Sequence, residues 1–327
     1  MVRAFPTDDG GSVPGPAAAA SADPTRTAVA RPADHRGGLA GGLLRIARPR
    51  QWVKNVLVFA APGAAGVLTH GEPLLRSLGA FAIFCLAASG TYFLNDVLDA
   101  EADRHHPVKR LRPVAAGVVP ERAAVAAAAT LAVLAVALAG LLAGWRLAVV
   151  VALYVVLSSA YSLRLKHEPI LDLAGLSSGF ILRAIAGGVA TGVPLSNWFL
   201  IVTSFGSLLV AAGKRSAEHS ALGGGQHRPV LAHYPPTFLR SVRLLAAAVT
   251  ITGYCLWAFE RSAAIGHGHH PLWFELSIVP VVLAVLHLEL RFDRGAGAAP
   301  EELAFEDPRL QVMAALWVLL FACGIYT

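Results

Sequence analysis

Charge is scarce in this chain: Asp, Glu, Lys and Arg make up 15% of its 327 residues, against 55% hydrophobic ones, far below the charge of an ordinary soluble domain. Cysteine is scarcer still. Cys85, Cys255 and Cys323 each fall inside an apolar run, which excludes a disulfide framework or a zinc site built on cysteine spacing. The apolar runs lack the strict alternation of barrel strands. No Ser–His–Asp or Cys–His arrangement stands out, and nothing in the motifs points to nucleic acid.

What is present is a series of apolar runs of about 20 residues, each enough to cross a hydrocarbon core of roughly 30 Å as a helix. The expected fold is all-α: a polytopic membrane protein with nine transmembrane helices, near residues 53–69, 74–97, 121–143, 145–163, 169–191, 196–213, 239–260, 271–290 and 308–326. Residues 1–38, rich in Ala, Pro, Gly, Asp and Thr, read as a disordered tail, and 39–327 as the membrane domain. Leu43, Leu44 and Ile46 beside Arg45, Arg48 and Arg50 suggest a short interfacial helix, with Trp52 and the arginines at the headgroups. Lys and Arg crowd the segment before the first span and the loops after the second, fourth, sixth and eighth, whereas the opposite side carries only Arg76, Arg146 and Arg261. The positive-inside rule makes the crowded side cytoplasmic, with the N-terminus inside and the C-terminus outside.

Three polar stations then share the cytoplasmic face. The first is NDVLDAEAD, with Asn95, Asp96, Asp99 and Asp103 followed by Lys109, Arg110 and Arg112. Positions 95, 99 and 103 stack on one helix face about 6 Å apart from turn to turn, and the repulsion between such carboxylates is relieved by a divalent cation. Mg²⁺ favours one or two carboxylates completed by phosphate oxygens and water, so the expected ligand is a Mg²⁺-diphosphate, with Arg110 and Arg112 available to phosphate oxygens. The second station is YSLRLKHEPILD, containing Tyr161, Arg164, Lys166 and Asp172. Arg183 lies roughly 16 Å deeper on the face of Asp172, either as a structural ion pair with an acid on another span or as a ligand for a lipid phosphate. The third is GKRSAEH, where Lys214 and Arg215 are candidate phosphate ligands ordered by Glu218, followed by the glycines at 223–225. His267, His269 and His270 form a histidine-rich turn on the opposite side.

NDVLDAEAD closing the second of nine spans resembles the first Asp-rich motif, NDxxDxxxD, of the UbiA-type intramembrane prenyltransferase superfamily. The resemblance runs from about residue 43 to the C-terminus. It implies metal ligation by Asn95, Asp99 and Asp103, and catalytic work by Asp96, Asp99 and Asp103. Aromatic prenyltransferases of the superfamily carry a second Asp-rich motif after span six, where this chain has GKRSAEH. RPRQWVKNVLVFAAP, YSLRLK with Asp172, SSGFILRAIAGGVATG and GKRSAEH together are similar to the actinobacterial decaprenyl-phosphate phosphoribosyltransferase branch. That branch implies phosphoribosyl diphosphate and a polyprenyl phosphate as substrates, Mg²⁺ as cofactor, the cell membrane as location, and Lys54, Lys166, Arg183, Lys214 and Arg215 as the cations that bring two anions together. The bilayer is the remaining expected partner, and homo-oligomerisation stays open. Two rival readings are a prenyltransferase acting on an aromatic or quinone precursor, and a transporter of an anionic metabolite.

Overall fold

A computed structural model describes residues 38–221, 229–264, 272–297, 303 and 305–326, and no strand occurs among them. The tail expected over residues 1–38 (save Gly38), the glycines at 223–225 and the histidine turn lie outside the described residues. The first helix, α1 (Leu39–Ala47), lies where a short helix is expected and ends at Arg48, whose backbone is left-handed with φ 51°. Pro49 then opens a 3₁₀ helix running to Phe59.

The segment expected as a straight span at 53–69 is not one. It is this 11-residue 3₁₀ helix, a single short α-helix, α2 (Ala60–Ala64), a left-handed Gly66 and a 3₁₀ turn at Val67–Thr69. So long a 3₁₀ run is uncommon. Its backbone lies directly on a later helix: a Cβ placed on Gly187 would sit 1.8 Å from the Val58 carbonyl oxygen. Close approach of that kind requires glycine.

Helix α3 (Gly71–Leu98) is the centre of the bundle, with 61% of its most apolar window buried. Ala80, Ala87, Ala88, Ser89 and Gly90 are small buried residues on it, with 87–90 buried all round the helix, which lets neighbouring backbones approach in a medium where packing drives association. After Asp99 comes the single turn of α4 (Ala100–Arg104). Helix α5 (Glu121–Leu163) contains two non-helical residues, Ala143 and Gly144. A Cβ on Gly140 would lie 3.8 Å from that of Ala148, whereas eight residues of straight helix would separate them by about 12 Å. The chain therefore folds back there, between the runs expected at 121–143 and 145–163.

Helices α6 (Leu171–Thr191), α7 (Asn197–Ala221) and α8 (Pro236–Ala264) follow, then α9 (Leu272–Leu276) and α10 (Ile278–Asp293), which break at Ser277, and finally α11 (Pro308–Tyr326). Only 6% of the apolar window of α11 is buried, so this helix lies at the periphery. Leu75, Val133, Leu141, Val156, Leu245 and Leu319 are among the exposed large apolar side chains, a surface that lipid covers. Among the described residues seven helices are long and apolar enough to cross a membrane, counting α5 once and α9 with α10 once. The chain is a multi-pass membrane protein.

Candidate active site

The last turn of α3 and the turn of α4 present the four motif side chains, and these divide into two groups. Asn95 Nδ2 donates to Asp99 Oδ2 at 3.0 Å, and Lys166 Nζ, from the loop after α5, donates to Asp99 Oδ1 at 2.6 Å. Asp96 turns away, accepting from Arg48 at 2.5 Å with Arg112 at 3.8 Å. Arg112 also donates to Asp103 at 2.6 Å, so one guanidinium bridges two buried acids. The expectation that 95, 99 and 103 share one face is therefore corrected. Each four-residue step drifts about 40° around a helix, so after two steps Asp103 points nearly as Asp96 does.

Among the described residues no three His, Cys, Asp or Glu side chains lie close enough to hold a metal by themselves. Asn95 and Asp99 remain as a pair of oxygen donors one turn apart, and they fit Mg²⁺ in its common mode, in which phosphate oxygens and waters complete the shell. Asp103 is spent on Arg112.

The second and third stations form one buried clamp. Arg215 donates through Nε to Asp172 Oδ2 at 2.5 Å and through a terminal nitrogen to Asp172 Oδ1 at 2.7 Å. It also reaches the Tyr161 hydroxyl at 2.7 Å and Glu218 at 2.5 Å, while Tyr161 donates to Asp172 at 3.0 Å. Both Arg215 and Asp172 are fully buried. Arg215 was expected to face a phosphate; instead its fork is used by acids on two helices, a bidentate pairing that guanidinium geometry favours. The clamp joins the ends of α5 and α7 to the start of α6.

Loop 164–170 is thereby held at several points. Ile170 has φ 67°, an outlier for a β-branched residue, and its N–H donates to the Tyr234 hydroxyl at 2.8 Å. Burial pushes the Tyr234 phenol above its ordinary value. Arg164 and Arg110 are exposed, whereas Lys54 and Lys214 are half-buried. Lys54 lies 3.5 Å from the Gln51 side-chain oxygen.

Deeper in the bundle, Arg183 makes no ion pair with any described residue. Its Nε donates to Asn55 at 2.7 Å, its terminal nitrogens to the Gly179 carbonyl at 2.6 Å and the Tyr154 hydroxyl at 2.9 Å. The guanidinium lies 4.7 Å from the Tyr154 ring centroid, where the ring face offsets part of the desolvation. Arg183 thus ties the 3₁₀ helix to α5 and α6.

Sequence reasoning missed the roles of Arg48 and Tyr234. Arg48 was read as a headgroup anchor, yet it turns inward to Asp96 and stacks 5.0 Å from the Tyr92 ring. Its one sequence signal is the following proline, which marks the end of α1. Trp52 likewise points inward, donating to the Ala47 carbonyl and Ser89 at 3.2 Å each. Tyr234 carried no signal.

Residues 56–306 match the UbiA prenyltransferase family. The chain is 44% identical over 294 residues to the decaprenyl-phosphate phosphoribosyltransferase of Corynebacterium glutamicum, covering 88% of each protein. It is 46% identical over 293 residues to the protein of the same name from Mycobacterium tuberculosis, covering 88% of this chain and 95% of that one. A UbiA homologue from Archaeoglobus fulgidus, solved with GPP and Mg²⁺, superposes with a TM-score of 0.64 at 17% identity, covering 86% of this chain and 98% of that one. A chain matched over most of its helical bundle in sequence, and over nearly the whole of a solved homologue in backbone, belongs to the UbiA prenyltransferase family.

Proposed function

We propose that this chain transfers the 5-phosphoribosyl group of phosphoribosyl diphosphate to a polyprenyl phosphate of the decaprenyl class, releasing diphosphate for a step in cell-wall arabinan precursor synthesis. The observation that carries the reading is the clamp on α7. Asp172 and Glu218 are both bound to Arg215, so neither acid is available to a second metal on a prenyl diphosphate, and the high identity to two phosphoribosyltransferases agrees with the reading. The rival aromatic prenylation needs such a metal. A transporter would place its charges near the midplane on interrupted repeats.

Asn95 and Asp99 would hold Mg²⁺, which when bound neutralises charge on the departing diphosphate as a Lewis acid. Lys166 stands beside Asp99, close enough to meet phosphate oxygens of the donor. Arg48 and Arg112 hold Asp96 and Asp103 in place through ion pairs. The acceptor phosphate is already an anion, so no strong general base is required, and attack opposite the leaving group inverts the anomeric carbon. The isoprenoid chain lies along apolar helix faces open to lipid. With the broken segment at 49–69 and the two arms of α5 each counted as crossings, the bundle has nine spans in the cell membrane, and the Lys and Arg distribution puts the site on the cytoplasmic side.

Membranes containing the protein, given phosphoribosyl diphosphate labelled in the ribose, polyprenyl phosphate and Mg²⁺, should form labelled lipid. Labelled product only from prenyl diphosphate and an aromatic acceptor would establish the rival instead.

A further inference from the structure

The Lys166–Asp99 pair differs from the Arg215–Asp172 pair at the same end of the bundle. Asp99 is satisfied on both oxygens, by Lys166 on one and by the Asn95 amide on the other. Yet the pair is open to solvent, with side chains 13% and 28% exposed, where Arg215 and Asp172 are fully buried. The cation is a lysine. It makes one bond to the acid, on a flexible stem with a compact, strongly hydrated charge, whereas a forked guanidinium would have to break two bonds at once to leave. The loop beneath it is fixed by the Ile170–Tyr234 hydrogen bond, so the side chain can swing while its backbone stays.

We propose that Lys166 is the resident counter-ion of Asp99, that it competes with the divalent metal for that carboxylate, and that it transfers to the phosphate oxygens of the incoming diphosphate. This rests on the reading of Asn95 and Asp99 as metal ligands. Charge alone sets the consequence. A divalent cation arriving by itself meets a carboxylate already neutralised and a lysine it repels. A diphosphate arriving by itself meets the carboxylate. When both arrive, Lys166 exchanges one anionic partner for another, and no charge is left uncompensated. Metal and diphosphate therefore favour each other's binding, and by linkage the coupling is reciprocal. Lys166 makes the site refuse a bare metal ion.

The test is Mn²⁺ binding, read by electron paramagnetic resonance on the full chain in lipid nanodiscs, with and without inorganic diphosphate. In the wild type, Mn²⁺ alone should bind weakly, and diphosphate should tighten it. Lys166→Met should tighten Mn²⁺ binding in the absence of diphosphate by about tenfold or more, the effect of removing a unit charge a few ångströms away, and should reduce the coupling to the part carried by direct metal–phosphate bonds. Lys166→Arg, which keeps the cation, should stay close to wild type. Mn²⁺ affinity in Lys166→Met equal to or below that of the wild type would overturn the proposal, as would unchanged Mn²⁺ binding in a Lys166→Met, Asp99→Asn double variant. The readout needs no phosphoribosyl transfer. If exchange behaves as described but no labelled lipid forms, the donor assignment falls while the exchange stands.

Discussion

Two ion pairs at the same end of the bundle do opposite work. Arg215 and Asp172 are fully buried, bonded through two nitrogens, and ringed by Tyr161 and Glu218. Lys166 and Asp99 share one bond and stay partly in water. A desolvated, multiply bonded pair cannot be broken without leaving a buried charge, so it holds helices together. A singly bonded, partly exposed pair loses less on opening than a fully buried one, so it can change partners. The structural cation and the working cation are told apart by burial and bond number, not by residue charge or by distance from the motif.

The largest effect should come from breaking the buried pair. Arg215→Met strands Asp172 and should cost about 3–5 kcal/mol of stability, seen as loss of the monodisperse protein in detergent and a large fall in melting temperature. If Arg215 instead served mainly as a phosphate ligand, this variant would keep its melting temperature and lose substrate affinity alone. Exchanging both partners for apolar residues, as in Arg215→Met with Asp172→Leu, should recover much of the loss.

Asp99→Asn should invert that pattern, lowering formation of labelled lipid about a hundred- to a thousandfold while the melting temperature moves little. A variant that retained full activity would remove Asp99 from the site. The smallest effect belongs to the loop that connects the two pairs: Tyr234→Phe removes the acceptor for the strained Ile170 N–H and should cost about 1 kcal/mol. Because Lys166 rides on that loop, affinity for diphosphate should fall severalfold with little change in turnover, measured as a rise in KM for the donor.

Much of the site was legible because its residues are close in sequence and set against an apolar background. Asn95, Asp96, Asp99 and Asp103 stand out at the end of α3, and Gly144 marks the fold-back in α5. The first segment was misread because hydropathy reports length and polarity but not backbone type. Pro49, Pro62 and the Val58–Gly187 approach make it irregular, and the last of these joins positions far apart in the chain. Arg183 was given two readings, an ion pair or a lipid-phosphate ligand. Among the described residues its partners are neutral, Asn55, Tyr154 and a carbonyl.

By itself the sequence determined that the chain lives in a bilayer, where its long apolar runs become helices, and which short stretch can meet a metal and an anion. Both follow from local composition, since transfer into hydrocarbon and the crowding of carboxylates depend on residues adjacent in the chain. Only the tertiary structure decided which cations are free to act. Lys166, Arg183 and Arg215 look alike in sequence, and what separates them is the partner each meets across helices and the water left around it, quantities that exist only once the bundle has closed.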